Sequence, residues 1–335
     1  MNIVKRVARR LAGDGDAPAI AKLTSEIVQL RREVQRLSRA QDGLRGELKI
    51  LPKIVTAQRN DGKWRSIFRA QLAALVRLQY VAVRPELTTI ASLRARRFRL
   101  HSQNEEDGLV LALLDAAGVG RRAFVEIGSG GTGGNSAVLA DELGWEGLMV
   151  EASKRGAAVA TELFRHNRGV AVVRTFATPE NINQLIADAG CGGDVALLSI
   201  DVDSIDYWLF DALDVAGLVQ PRVIVTEYNA HFGPTRAVTL PNAPRPASAP
   251  KPYFGASLTA LTKVADRKGY RLVLCEENGI NAFFLRNDLA PELPGARPEN
   301  AYRPMRRRLG ADEDEPVIED VYALAAAAGL PIVEV

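Results

Sequence analysis

Residues 124–135 read Phe-Val-Glu-Ile-Gly-Ser-Gly-Gly-Thr-Gly-Gly-Asn, from Phe124 to Asn135. An apolar, strand-like run delivers Glu126 and Gly128, a glycine loop follows, and a helical pattern opens near Asn135. Glycine lets a backbone turn tightly and approach a ligand closely, and the first turn of a helix offers unpaired N–H groups. Gly128, Gly130 and Gly133 fit the GxGxxG spacing that seats a nucleotide when a strand precedes the loop and a helix follows it. Glu151 closes the next strand-like run, where a carboxylate accepts hydrogen bonds from ribose hydroxyls. The stretch therefore predicts a nucleotide-type α/β domain.

Outward from this loop, strands and helices alternate. Strand-like runs cover 123–127, 147–151, 170–175, 195–200 and 222–227, with helices beginning near Asn135, Lys154, Pro179 and Asp206. That alternation builds a doubly wound parallel sheet. Two further runs, 270–275 and 281–286, are joined by residues 276–280, too few for a helical crossover, so they must pair antiparallel. Seven strands with the last reversed is the arrangement of a Rossmann-like methyltransferase sheet. A nicotinamide-dependent oxidoreductase is the competing reading of the glycine loop. Glu126 weighs against it, since a carboxylate before the first glycine suits a cationic amino-acid cofactor better than a pyrophosphate.

Asp201, Asp203, Asp206, Glu227, Asn229 and His231 fall at the C-terminal ends of the fourth and fifth strands. Transfer to a hydroxyl requires a base within hydrogen-bond reach, or a metal. Two readings stand. His231 is the general base, oriented by Glu227 or Asp201; or Asp201, Glu227 and His231 ligate Mg²⁺ or another divalent ion. Asp206 reads as a helix cap. A loop over 232–252 carries Pro234, Pro241, Pro244, Pro246, Pro250 and Pro252, and lies where such sheets bind ligands. Tyr253 either stacks on a sugar face or anchors that loop. His101 and His166 show no partner in the sequence.

Ser102-Gln103 with Glu106-Asp107-Gly108, Phe124 to Gly128, Gly144 to Leu148 with Glu151, Ser199 to Asp203 and Val225 to Asn229 resemble the FkbM-type S-adenosylmethionine-dependent methyltransferases. The resemblance spans residues 102–288. It implies O-methylation of a sugar or lipid-linked glycan hydroxyl in surface polysaccharide biosynthesis. It also implies cofactor contacts from Glu126, Gly128, Ser129, Gly130 and Glu151, with Asp201 near the sulfonium and the acceptor. Where that family has Glu-Gly after Asp-Val, this chain has Asp203-Ser204, so its acceptor side differs.

The rest of the chain has another character. Residues 1–100 hold 22 Lys/Arg against 8 Asp/Glu, so the net charge of +3 hides a basic front and an acidic back. Residues 1–19 form a basic amphipathic N-terminus, and residues 1–11 suit contact with anionic lipid at the inner membrane face. Ile20, Leu23, Ile27, Leu30, Val34, Leu37, Gln41, Leu44, Leu48 and Leu51 alternate three and four apart. This predicts a parallel coiled coil over 20–52, making a homodimer or higher parallel oligomer. A helical connector follows over 53–100, with one helix at 64–83, then the cofactor domain at 101–290 and a C-terminal extension at 291–335. Arg94, Arg96, Arg97 and Arg99 have only Phe98 among them, so they read as a solvated face and not a nucleic-acid site. Cys191 and Cys275 allow no disulfide framework, which points to the cytoplasm. No apolar run reaches the length of a membrane span. A rival reading from another class makes the domain a retired enzyme and the coiled coil an assembly device.

Overall fold

The computed structural model describes residues 88–243, 245–308, 314–316 and 318–335, and only the backbone of 307, 308 and 314–316. The amphipathic segment 1–11, the heptads of 20–52 and the helix expected at 64–83 lie outside the described residues.

The strands are β1 (Arg121–Ile127), β2 (Glu146–Glu151), β3 (Val170–Arg174), β4 (Val195–Ile200), β5 (Val223–Glu227), β6 (Val238–Thr239), β7 (Tyr270–Cys275), β8 (Asn281–Arg286), β9 (Arg306–Arg308), β10 (Asp314–Pro316) and β11 (Val333–Glu334). The helices are α1 (Ile90–Arg94), α2 (Glu106–Ala117), α3 (Ala137–Asp141), α4 (Lys154–Phe164), α5 (Ile182–Asp188), α6 (Asp206–Ala212), α7 (Leu258–Arg267), α8 (Pro298–Ala301) and α9 (Val321–Ala327).

One seven-stranded sheet runs β3-β2-β1-β4-β5-β8-β7. β3, β2, β1, β4 and β5 pair in parallel, whereas β8 is antiparallel to both neighbours. β4 and β5 are buried along their whole length, as a parallel sheet covered on both faces requires. The reversal of β8 follows from its short connection. In that turn the buried Glu276 carboxylate accepts the N–H groups of Asn278 and Ile280, each at 2.6 Å.

Local chemistry sets the helices. Ser153 caps α4 by accepting the Gly156 N–H, and α4 buries Ala157, Ala160 and Phe164 at spacings of three and four. Ser257 caps α7 in the same way through Ala260 N–H. The chain crosses from one side of the sheet to the other between β1 and β4, so their C-terminal ends form the crevice where such sheets bind ligands.

The last residues do not stand apart as an extension. β11 pairs with β6, and Val321 and Ala325 of α9 pack with Phe232, Val238, Leu240 and Tyr253. Of the arginines before α2, Arg97 and Arg99 are exposed as expected, but Arg94 and Arg96 are not. Arg96 is only 4 % exposed, Arg94 pairs with Glu277 at 3.0 Å, and Arg97 pairs with Glu105 at 2.8 Å. The Arg94 guanidinium ties the entry segment to the β7–β8 turn and Arg97 ties it to the start of α2, uses that composition alone does not show.

Candidate active site

A cavity of ≈1250 Å³ opens at the C-terminal ends of β1, β2, β4 and β5, lined by Gly128, Ser129, Gly130, Glu151, Asp201 and Glu227 among others. Gly128 has φ 90°, and a side chain there would collide with the Asp201 carbonyl. Gly130 has φ 57° and is open on its Cβ side, with nothing within 4 Å. One glycine lets β1 and β4 close upon each other; the other leaves a free cradle at the wall. Glu151 ends β2 and its Oε1 accepts the Ser153 N–H at 2.7 Å, which fixes the carboxylate at the rim.

Glu126 is placed differently from the expected cofactor contact. It is fully buried beneath the loop, its Oε2 accepts the Ser136 N–H at 2.9 Å, and it is not among the residues lining the cavity. Burial pushes its carboxyl up to about 7 in spite of the bonds it accepts from Ser136. Its role is to hold the turn that leads from the glycine loop into α3.

Beyond the ends of β4 and β5 stand three carboxylates. Asp201, Asp203 and Glu227 each place an oxygen within 4.8 Å of the others. Burial, then the charges of Asp206 and Asp203, raise the Asp201 carboxyl well above the ordinary range. Burial, then Asp201, Asp206 and Asp203, do the same to Glu227. Glu227 Oε2 is buried without a hydrogen-bond partner. Such a cluster favours sharing protons or taking a cation. Asp203 adopts φ 58°, rare for a residue with a side chain. Asp206 shapes this turn by accepting the N–H groups of Val202 at 2.8 Å and Ser204 at 3.0 Å. It thus braces the loop before α6 and does not cap the helix itself.

His231 is not brought to this cluster, whose third member is Asp203. Its Nδ1 accepts the Glu319 N–H at 3.0 Å, which puts the neutral ring's proton on Nε2. Neither nitrogen is then free to act as a base, and the histidine serves instead to dock the segment before α9. Its pairing partner lies 88 residues away, so the sequence around His231 holds no sign of it.

The facing wall comes from the proline loop. Asn229, fully buried, donates from Nδ2 to the carbonyls of Pro252 at 2.7 Å and Phe254 at 2.8 Å, which seats Phe254 at the cavity. Tyr253 is the anchor: it is 2 % exposed and its hydroxyl donates to the Pro331 carbonyl. Ser102 and Gln103 complete the opposite edge. Asp203 and Phe254 are the lining residues that sequence reasoning undervalued. Asp203 was signalled by its strand end and by the departure at Asp203-Ser204, and Phe254 only by its place at the close of the proline loop.

No protein-family model matches the sequence, and no curated protein matches it. Among solved structures, the chain is similar to the methyltransferase domain of METTL16, at 11 % identity over 54 % of this chain and 66 % of that one, with a TM-score of 0.36. It is also similar to the N-terminal domain of EvdMO1 with SAH bound, at 13 % identity over 55 % and 80 %, TM-score 0.36. A third is precorrin-6y C5,15-methyltransferase from Geobacter metallireducens GS-15, at 14 % identity over 56 % and 89 %, TM-score 0.33. The chain spans just under two thirds of the METTL16 domain in its second crystal form, 64 % of that chain. At these values the architecture rests on strand order and direction, which place the sheet in the Rossmann-like class with a reversed final strand.

Proposed function

We propose that this chain is an S-adenosylmethionine-dependent O-methyltransferase acting on a hydroxyl of a sugar or lipid-linked glycan. The observation that carries the reading is one cavity with two chemically different walls. Gly128, Ser129, Gly130 and Glu151 line it at the ends of β1 and β2, and Asp201, Asp203 and Glu227 at the ends of β4 and β5. The residues fit a nucleoside cofactor. Gly130 leaves an open cradle, and Glu151 stands at the end of β2 where a ribose carboxylate is expected. When bound, that cofactor supplies an electrophilic methyl group.

The chain's own residues do the remainder. The glycine loop and Glu151 hold the nucleoside portion. Glu227, whose Oε2 has no hydrogen-bond partner among the described residues, accepts the hydroxyl proton in its ionised form, and burial strengthens it as a base. Phe254 offers an apolar face to a sugar ring. Holding nucleophile and methyl in line is the largest contribution such a site makes. A second reading places a divalent ion on Asp201, Asp203 and Glu227, because the buried Glu227 Oε2 lacks a partner among the described residues. The heptads of 20–52 support pairing of two or more copies, and the basic residues 1–11 support a place at the inner membrane face. No described helix is long and apolar enough to cross a membrane.

The deciding experiment is thermal unfolding with S-adenosylmethionine, S-adenosylhomocysteine or NAD⁺. A ligand at a hundred times its dissociation constant adds about 2.7 kcal/mol, a shift of several degrees. The proposal expects a shift with the first two ligands, lost in Glu151→Ala and kept in Glu227→Gln. A shift with NAD⁺ alone would return the chain to the oxidoreductases, and no shift at all would favour the assembly reading. Repeating turnover measurements after chelation separates the proton-acceptor and divalent-ion versions of the acceptor wall.

A further inference from the structure

Away from the cavity's acidic wall, two of the three histidines of the chain converge on a pair of neighbouring carboxylates. His101 Nε2 lies 3.1 Å from Glu142 Oε1 and 3.6 Å from Asp141 Oδ2. His166 Nε2 lies 3.1 Å from the other Asp141 oxygen, Oδ1. The Asp141 and Glu142 side chains are only 2 % and 5 % exposed, and His101 15 %. Both acids stand at the C-terminal end of α3, where backbone carbonyls add to the negative charge.

We propose that His101, Asp141 and Glu142 bind a zinc-type divalent ion, with His166 bracing Asp141 from outside. Three observations support a metal over an ordinary ion pair. The donor set is one imidazole and two carboxylates, with ligand atoms all within 4.8 Å, and this mixed set suits zinc. A tetrahedral ion with bonds of 2.0–2.1 Å spaces its ligand atoms about 3.3 Å apart, and the two His101 distances bracket that value. Finally, the surroundings resemble an outer shell. His166 Nδ1 sits 3.1 Å from the Leu163 carbonyl, which orients the ring whose Nε2 contacts the ligand Asp141 from outside. The His101 backbone is pinned as well, for Asp107 Oδ2 accepts the N–H groups of Leu100, His101 and Ser102 at 2.6, 2.8 and 3.0 Å.

The place of the site gives it a consequence. His101 precedes Ser102 and Gln103, which line the cavity, so an ion held there ties that edge to the end of α3. The site is independent of the cofactor reading and stands or falls without it.

The test uses the full chain, stripped with a chelator and titrated with Co²⁺ and then Zn²⁺. One equivalent of Co²⁺ should give the visible ligand-field absorption of a four-coordinate site, and Zn²⁺ should displace it and raise the Tm. Both effects should vanish in His101→Ala and persist in Asp203→Asn, while His166→Ala weakens binding about 10- to 100-fold. If His101→Ala does not fold, His101→Gln, which keeps a polar side chain, is read in its place. Absence of the absorption with an unchanged Tm shows an ion pair only and overturns the proposal. So does metal binding that survives loss of His101 and disappears in Asp203→Asn.

Discussion

The Asp201 carbonyl occupies the space that a Cβ on Gly128 would take, so β1 and β4 touch backbone to backbone at the head of the cavity. Gly130, two residues on, has a free Cβ direction. The two glycines therefore separate folding from binding. Gly128→Ala should force the strand ends apart and cost about 3 kcal/mol or more, from a left-handed φ and a backbone clash together. Gly130→Ala should cost about 1–2 kcal/mol, the price of the left-handed conformation alone, while filling the cradle. Urea unfolding gives the first quantity and the ligand-induced Tm shift the second. Equal stability losses in the two variants would contradict the geometry.

Glu126 predicts a pH dependence. Its folded value of about 7 lies above the ordinary 4.5, so the folded state prefers the protonated form. Its contribution is complete below pH 4.5 and declines as pH rises through 7, by about 3 kcal/mol in all. Glu126→Gln stays neutral and keeps an acceptor for the Ser136 N–H. It should match the wild type at pH 4.5 and exceed it at pH 8 in urea unfolding. A wild-type slope in the variant would show that other buried acids, such as Glu276, carry the effect.

His231 predicts the opposite sign. Burial lowers its value below the ordinary 6.5, so its contribution is complete above that pH and is lost as pH falls through the folded value. Protonated Nδ1 can no longer accept the Glu319 N–H. Hydrogen exchange of residues 319–330 should accelerate at pH 5.5 relative to pH 7.5, beyond the intrinsic change. His231→Phe should remove that difference. Loss of ligand-induced stabilisation in the same variant at pH 7.5 would count against a purely docking histidine.

Asn229 closes three backbone groups at once, the carbonyls of Pro252 and Phe254 and the N–H of His231. Asn229→Ala should cost about 3 kcal/mol, because buried polar groups lose their partners. Limited proteolysis should then cut within residues 232–257 while the sheet stays protected. Unchanged resistance would show that the loop is held by other contacts.

The sheet was legible because its signals are local. Alternating apolar runs, the glycine loop after β1 and the short link before β8 each act over a few residues, and the seven strands fall where the pattern put them. Asp206, Asp203 and Glu227 were found by strand ends, the same local logic. What stayed hidden depends on distant partners. Glu126 was read as a ligand contact because sequence cannot show which side of a glycine loop a carboxylate occupies. His231 looked catalytic until its partner at Glu319 was placed, and His101 looked idle until Asp141 and Glu142 came beside it.

The glycine loop and the Phe254 segment line the cavity with unlike materials. The glycine-loop wall is part of the sheet itself, so a change there is paid in folding. The Phe254 wall hangs from a loop held by Asn229 and by the pairing of β6 with β11, and that loop packs its own small core of Phe232, Val238, Leu240 and Tyr253 on α9. Substitutions at its exposed positions, Asn242, Ala243, Pro246, Ala247, Ser248 and Lys251, should therefore cost little stability, whereas Phe232, Val238, Leu240 and Tyr253 are core. Of the exposed positions, Lys251 also lines the cavity, so the charge of the site can change there while the sheet stands still.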